Sequence, residues 1–198
     1  MPNATHARSN TKAELLDRSR ELFARHGYEG VSMRDIAGAI GVRQSAIYNH
    51  FGSKQELLTE LMVSHMERVL QAMRCAVDPI PDAAEKLGAF ARFHVMYHID
   101  HPDDVFLAYM ELRSLDETGR ERIYPLRHAY ETALRQILED GKAIEVFRIG
   151  DPAVAARAIL AMLTGVTVWF REDGTLDRGT VADTYVQAAL QSVGLHYP

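Results

Sequence analysis

The sequence has few residues that cross-link a chain or break a helix. Its single cysteine, Cys75, excludes an internal disulfide and any site that needs two thiolates. No proline occurs between Asn3 and Asp78, so long helices are permitted there. No uninterrupted run of about 18 uncharged apolar residues is present, as a membrane-spanning helix would require. The N-terminus is polar, unlike a signal peptide. We therefore expect a cytoplasmic protein with no membrane partner.

Charge is distributed unevenly along the chain. The 198 residues carry a formal net charge of −5 and are 47% hydrophobic, which is enough to build a buried core. Residues 1–58 contain eight Lys and Arg against six Asp and Glu, whereas the rest contains fourteen against twenty-one. This asymmetry indicates a head that faces an anion and an acidic body.

Apolar residues recur at helical spacing along most of the chain, and no segment alternates convincingly with the period of a strand. Pairs such as Thr11 with Glu14 and Ser53 with Glu56 are typical of helix starts, as is Asp151 before Pro152. The pattern predicts an all-α fold of about nine helices, near 11–26, 33–40, 43–50, 54–75, 83–99, 103–114, 120–140, 152–170 and 178–193.

Two short predicted helices, Met33–Ile40 and Arg43–His50, flank a Gly41-Val42 turn and form a helix-turn-helix candidate. Their apolar residues would pack against the first helix. Four polar side chains would then point outward: Gln44, Ser45, Tyr48 and Asn49. Amides, hydroxyls and phenols hydrogen-bond to base edges and phosphates in a major groove. An ordinary helical hairpin with a polar exterior fits the same pattern.

The order and spacing of residues 11–60 closely resemble the DNA-binding domain of the TetR family of bacterial transcriptional repressors. The matching runs are Val31-Ser32-Met33-Arg34-Asp35-Ile36-Ala37, Gly41-Val42, Ala46-Ile47-Tyr48-Asn49-His50-Phe51 and Ser53-Lys54-Gln55-Glu56-Leu57-Leu58. The resemblance implies an N-terminal arm and DNA-binding domain over 1–52. A ligand-binding and dimerisation domain would cover 53–198, with the helix near 54–75 as connector.

The resemblance also implies a function. The expected protein is a homodimeric regulator, a repressor that binds a near-palindromic double-stranded DNA operator and is released by a small-molecule effector. No cofactor is expected. The chain also lacks a nucleophile elbow, a phosphate loop and an HExxH motif, so we do not expect an enzyme.

Family roles transfer to eight positions of the predicted DNA-binding domain. Contacts to phosphate are implied for Ser32, Tyr48, His50 and Lys54. Base reading is implied for Arg43, Gln44, Ser45 and Asn49. Arg43 departs from the family, which commonly has a capping serine there, so the start of the second helix is expected to lack a side-chain cap. For Lys54 the alternative is a solvated surface lysine.

The last two predicted helices each carry a wide apolar stripe. One includes Ile159, Met162, Leu163, Val166, Trp169 and Phe170, and the other Val181, Ala182, Tyr185, Val186, Ala189, Leu190 and Val193. In the TetR family these helices usually pair with those of a second subunit. An entirely intramolecular core is the alternative interpretation.

Three histidines cluster in the predicted helix 83–99 and just after it. His94 and His98 lie one helical turn apart, and His101 follows. This spacing can bind zinc or nickel, which leaves a helical metal sensor or enzyme as an alternative function. We favour histidines that line a pocket or belong to the core, and predict no metal site.

The C-terminal part is also similar to TetR-family regulators that respond to acyl-CoA thioesters. Arg113 and Arg127 would suit the phosphates of coenzyme A, since guanidinium groups pair bidentately with phosphate. Alternatively they face solvent or form helix-surface pairs, such as Arg127 with Glu131. The remaining candidate effector contacts, which also suit a neutral aromatic compound, are Phe90, Tyr97, Phe106, Tyr109, Met110 and Trp169.

Overall fold

The computed structural model of the protein describes residues 4–195, with side chains from Lys12 onward. Within this part of the chain every regular element is a helix, which confirms the all-α prediction. The α-helices are α1 Ala4–His26, α2 Met33–Ala39, α3 Gln44–Tyr48, α4 Lys54–Val77, α5 Ala83–Asp100, α6 Pro102–Met110, α7 Glu117–Ala143, α8 Pro152–Thr164, α9 Val166–Trp169 and α10 Arg178–Ser192. One 3-10 turn, Leu112–Ser114, follows α6.

Side-chain caps explain several of the helix starts. The Asp82 carboxylate accepts hydrogen bonds from the backbone N–H groups of Ala84 and Glu85, both at 2.9 Å, and starts α5. Asp151 caps α8 in the same way, and Pro152 occupies the first position of that helix. At α4, the Ser53 hydroxyl accepts from Glu56 N at 3.0 Å. These three starts lie where the sequence predicted them.

The first helix begins seven residues earlier than predicted. It starts at Ala4, so Thr11 lies inside α1 and the predicted capping box there is wrong. Residues 4–10 contain neither proline nor glycine, and nothing in their sequence stops the helix from extending. The predicted N-terminal arm is therefore helical from Ala4, and its first three residues lie outside the described part of the chain.

The predicted helix 152–170 is divided in two at Gly165. This residue belongs to the end of α8 and the start of α9, and its N–H contacts the carbonyls of both Ala161 and Met162. A Cβ at this position would lie 3.0 Å from the Met162 carbonyl oxygen. The break accounts for one helix beyond the predicted nine among the described residues.

The chain forms two compact units. Unit 1 comprises Met1–Met66 and Asp103–Tyr124, and unit 2 comprises Glu67–Pro102 and Pro125–Pro198. Helices α4 and α7 each contribute to both units. The predicted division between residues 52 and 53 is a functional one and stays a prediction.

Each unit has its own apolar core. In unit 1, Phe23 and Tyr28 are buried with their ring centroids 5.4 Å apart. In unit 2, α5 makes its most extensive contacts with α10, and a Cβ at Gly88 would lie 3.5 Å from Val186.

The end of α7 packs unusually closely against the chain that follows it. A Cβ at Gly141 would lie 2.1 Å from the buried Phe147 ring, and the Phe147 N–H donates to the Gly141 carbonyl at 3.0 Å. Only glycine leaves room for the ring in this arrangement.

Candidate nucleic-acid interface and effector residues

Ser32 starts the first helix of the helix-turn-helix with a reciprocal cap. Its hydroxyl accepts from Asp35 N at 3.2 Å, and the Asp35 carboxylate accepts from Ser32 N at 2.9 Å. The Ser32 hydroxyl also donates to this carboxylate at 2.6 Å. Hydrogen bonds from the Ser32 side chain and backbone lower the pKa of Asp35. Any phosphate contact by the Ser32 hydroxyl therefore has to share the group with Asp35.

Gly41 makes the turn between α2 and α3. Its φ of +70° is in the left-handed region, which glycine adopts without strain, and no atom lies within 4 Å of the position of a Cβ. The backbone conformation, not space, thus favours glycine. The Val42 N–H donates to the Ala37 carbonyl at 3.0 Å and closes the turn.

Helix α3 is only five residues long and presents a polar surface. Ile47 points into the core at 1% exposure. The candidate base readers are all exposed: Arg43, Gln44, Ser45 and Asn49. Arg43 occupies the position before the helix and, as expected from its side chain, provides no side-chain cap.

Two candidate phosphate contacts, Tyr48 at the end of α3 and His50 just after it, differ in accessibility. Tyr48 is 48% exposed, and its hydroxyl accepts from Gln44 Nε2 at 3.4 Å. His50 is half-buried. Sequence reasoning gave no role to Arg34, which is exposed on α2 close to Ser32.

The Lys54 ammonium group is bound inside unit 1. It donates to the backbone carbonyls of Tyr28 at 2.8 Å and Val31 at 2.9 Å. It also lies 3.9 Å from the centroid of the Tyr28 ring, a cation–π distance. Two of its three N–H donors are thus used by the loop between α1 and α2. The alternative of a merely solvated surface lysine is wrong, and the phosphate contact stays a prediction.

His94 lies at the centre of a buried polar cluster in unit 2. Its Nδ1 is 3.0 Å from the Tyr130 hydroxyl and its Nε2 is 3.1 Å from the Thr164 hydroxyl. Its ring stacks on that of His98, with centroids 3.8 Å apart. Burial, reinforced by the neighbouring His98, holds the pKa of His94 well below its ordinary value. A neutral His94 with both nitrogens hydrogen-bonded has no lone pair left for a metal ion.

The third histidine of the predicted cluster has different surroundings. His101 follows α5, is half-buried, and packs on Tyr97 with ring centroids 4.3 Å apart. Among residues 12–195 no group of three or more His, Cys, Asp or Glu side chains is arranged to hold a metal ion. The structure therefore offers no support for the metal-sensor alternative.

The candidate effector residues are divided between the two units. Unit 2 contains Phe90, His94, Tyr97, His98, Arg127 and Trp169, and unit 1 contains Phe106, Tyr109, Met110 and Arg113. Phe90 is fully buried, whereas Trp169 is 45% exposed. Arg113 is exposed and Arg127 half-buried. Glu131, the suggested partner of Arg127, accepts from Arg157 Nε at 2.9 Å.

Exposed apolar side chains occur along α8, α9 and the loop after them, which we call the α8–α9 surface. The stretch Pro152–Trp169 is long and apolar enough to cross a membrane by composition, although it contains Arg157 and the break at Gly165. One such stretch is weak evidence for a span, and only 22% of it is buried. Large apolar side chains exposed on this surface are Val154, Val168, Trp169 and Leu176. Trp169 Nε1 donates to the Tyr185 hydroxyl at 3.0 Å.

Unit 1 also contains a hydrogen-bonded cluster that sequence reasoning missed. The Tyr28 N–H donates to the buried Glu111 carboxylate at 3.0 Å. Gln55 Nε2 donates to the Ser114 carbonyl at 2.7 Å, and Gln55 Oε1 accepts from Asp116 N at 3.0 Å. These partners are 59 to 83 residues apart in the chain, and no periodic pattern marks such contacts.

Two family models match this chain. "Bacterial regulatory proteins, tetR family" matches residues 15–61, and "Tetracyclin repressor-like, C-terminal domain" matches residues 81–193. The chain belongs to the TetR family. As a TetR-family protein it is a DNA-binding transcriptional regulator and not an enzyme.

Relatives are similar over almost the whole chain. The transcriptional repressor KstR2 of Mycobacterium tuberculosis is 27% identical over 193 residues, which cover 93% of this chain and 94% of KstR2. The TetR-family regulator PfmR of Thermus thermophilus is 34% identical with a TM-score of 0.81, covering 89% of this chain and 97% of PfmR. AibR, solved in complex with isovaleryl coenzyme A and operator DNA, is 26% identical with a TM-score of 0.82, covering 88% and 95%.

Proposed function

We propose that this TetR-family regulator is a homodimeric repressor that binds a near-palindromic operator and is released by an acyl-CoA effector. The exposed polar surface of α3, held in place by a buried Ile47 and the Gly41 turn, is the observation that carries the proposal. A short helix of this kind enters the major groove and reads base edges. Because such a repressor binds chromosomal DNA, its expected location is the cytoplasm.

The two types of DNA contact follow the roles that the TetR-family resemblance implies for these positions. Arg43, Gln44, Ser45 and Asn49 are exposed and read bases, for which amide and guanidinium groups are suited. Contacts to the phosphates, which position the protein without reading sequence, come from the other candidates: Ser32, Tyr48, His50 and Lys54. Two-fold symmetry of a dimer requires the matching symmetry of the operator.

The α8–α9 surface supports dimerisation. Val154 is 62% exposed and Val168 72%, although the helices carrying them are predominantly apolar. Several exposed large apolar side chains on neighbouring elements are typical of a protein–protein interface. A second copy of this chain is the expected partner, since the C-terminal domain of the TetR family typically dimerises.

An acyl-CoA effector is supported by chemistry and by one relative. AibR, which resembles this chain over most of its length, is bound to isovaleryl coenzyme A. Each unit contains groups suited to such an effector: Arg113 for phosphate with Phe106 and Tyr109 for an acyl chain in unit 1, and Arg127 with Phe90 in unit 2. An effector releases DNA only if it binds the conformation that does not bind DNA more tightly, by about 1.4 kcal/mol for a tenfold effect.

A titration tests the effector class. An operator is first selected from random DNA with the purified protein, and acyl-CoAs of increasing length are then added to the labelled complex. We expect acyl-CoA, and not free coenzyme A, to lower operator affinity. Release by a small uncharged aromatic compound and by no acyl-CoA would overturn the effector class while leaving the repressor intact.

Matched arginine variants sharpen this test. Arg113→Ala and Arg127→Ala should weaken the response to acyl-CoA without changing operator affinity in its absence. Arg157→Ala is the control, because Arg157 is exposed and pairs with Glu131 on the protein surface. An equal response from all three variants would contradict the assignment of Arg113 and Arg127.

A further inference from the structure

The loop that precedes α2 is held from outside the helix-turn-helix. Lys54 binds the carbonyls at both ends of the segment from Tyr28 to Val31, and Val31 directly precedes the Ser32 cap. Glu111 accepts from Tyr28 N. The direction in which α2 leaves this loop is therefore fixed by side chains of α4 and of the segment after α6.

The Glu111 carboxylate holds the loop before α2 by a buried hydrogen bond. The residue is 7% exposed, and its two carboxylate oxygens have different partners, Tyr28 N at 3.0 Å and the Ser114 hydroxyl at 2.6 Å. Hydrogen bonds to a buried carboxylate are among the stronger ones in proteins. A Cβ at Gly27 would lie 3.4 Å from this carboxylate, so the loop and the acid are in close contact.

Gln55 connects the same segment to the first turn of α4. Its amide N–H donates to the Ser114 carbonyl and its amide oxygen accepts from the Asp116 N–H. The amide therefore binds the backbone on both sides of Leu115. We call the set Tyr28, Gln55, Glu111, Ser114 and Asp116 the clamp. All five residues belong to unit 1.

We propose that Gln55 is a positioning residue for operator binding, which through the clamp sets the orientation of α2 and α3 without touching DNA. The hydrogen bonds described above for the clamp involve no residue of α2 or α3. The two reading helices of a dimer must meet half-sites at a fixed separation, so a small change in their orientation weakens specific binding more than non-specific binding. The inference rests on the proposed operator binding.

The test compares two glutamines of α4. Gln55→Ala removes both amide hydrogen bonds, and Gln71→Ala makes the same change at an exposed position of the same helix. Affinity is measured for the operator selected by the wild-type protein, for the same operator lengthened by one base pair between its half-sites, and for unrelated DNA. Thermal unfolding is recorded in parallel.

We expect Gln55→Ala to weaken operator binding by about tenfold or more, a typical coupling between distant sites. Its affinity for unrelated DNA should be unchanged, and its preference for the original spacing should become smaller. Gln55→Glu keeps the acceptor for Asp116 N but loses the donor to the Ser114 carbonyl, and should show the same loss. If Gln55→Ala folds poorly, Gln55→Glu still provides the test, because it keeps the size of the side chain.

Two results would overturn the inference. One is wild-type operator affinity and spacing preference in Gln55→Ala and Gln55→Glu. The other is a proportional loss of specific and non-specific binding together with a lower unfolding temperature, as a purely structural role would give. If the wild-type protein selects no operator at all, the proposed function fails and the inference falls with it.

Discussion

Lys54 illustrates how a single residue can match a family position and still have an additional role. The pattern around Ser53 and Glu56 predicts a helix start with a lysine in the first turn, where a cation is disfavoured by the helix dipole. In the structure two backbone carbonyls and the Tyr28 ring surround the ammonium group and compensate for this position. Such carbonyls come from a loop more than twenty residues away, so the sequence pattern could not reveal them.

Lys54→Met should therefore destabilise the protein as well as weaken DNA binding. The loss of two charge-assisted hydrogen bonds should lower the free energy of unfolding in urea by about 1–3 kcal/mol. Lys86→Met, at a half-buried position in α5, is the control. Unchanged stability would contradict the structural role. The phosphate role further requires the salt dependence of operator binding to flatten by about one counterion, and an unchanged slope would contradict it.

His94 makes stability depend on pH. Because burial keeps the folded-state pKa of His94 well below its unfolded value, the unfolded chain binds the extra proton more readily. The contribution of neutral His94 to the free energy of unfolding should thus be fully present above about pH 6.5, the unfolded pKa. It should be lost progressively as pH falls below that value. His94→Gln should make the stability curve shallower there by at most about 1.4 kcal/mol per pH unit.

His128→Gln provides the matched control for this experiment, since His128 is an exposed histidine of α7. Denaturant unfolding at a series of pH values gives the curves. If His94→Gln and His128→Gln have the same pH dependence as the wild-type protein, another group accounts for any acid destabilisation.

At the scale of single elements, side-chain caps are the reliable signals. Asp82, Ser53 and Asp151 start helices where the sequence predicts, because a side-chain acceptor for the first N–H groups is a local requirement. The start of α1 and the break at Gly165 were missed. Thr11 with Glu14 has the composition of a cap, but the preceding residues are also compatible with a helix, and composition alone does not exclude its continuation.

The start of α3 offers a prediction with opposite signs in two measurements. Arg43 precedes this helix and provides no side-chain cap. Arg43→Ser should supply one and raise the free energy of unfolding by about 1 kcal/mol. The same change removes a candidate base or phosphate contact, so operator affinity should fall. Urea unfolding and fluorescence anisotropy measure the two effects.

Ser32→Ala is a useful comparison for this variant, because it removes the cap of α2 and should lower stability by a similar amount. Operator affinity of Arg43→Ser equal to that of the wild-type protein would show that Arg43 does not contact DNA. A fall in stability would show that the serine does not cap α3.

For the whole molecule, the helical class and the helix-turn-helix could be predicted, whereas the distribution of the candidate effector residues over the two units could not. The helix-turn-helix and the candidate DNA contacts lie in a short contiguous segment, 32–54, in which sequence neighbours are also spatial neighbours. Phe106 and Phe90, by contrast, belong to different compact units, a property of long-range packing that helical periodicity does not encode. Trp169 is a candidate both for a ligand pocket and for a dimer interface, and its 45% exposure favours the interface.

Val168→Glu tests the proposed dimer. Val168 is 72% exposed in the single chain, so a charge there should leave the monomer folded, but it would be buried without a partner in the interface. We expect monomers in analytical ultracentrifugation at concentrations where the wild-type protein is dimeric, and the same from Trp169→Glu. Ile144→Glu, exposed at 62% beyond the end of α7, should leave the dimer intact. A stable Val168→Glu dimer would locate the interface elsewhere.

Gly41 and Gly141 should tolerate different substitutions in sequences that keep this fold. Space is open at Gly41 and only its left-handed backbone conformation is demanding, so asparagine, which tolerates that conformation, is the natural replacement. At Gly141 the ring of Phe147 occupies the place of a methyl group. Position 41 should therefore vary independently, whereas alanine at 141 should be accepted only together with a smaller residue at 147.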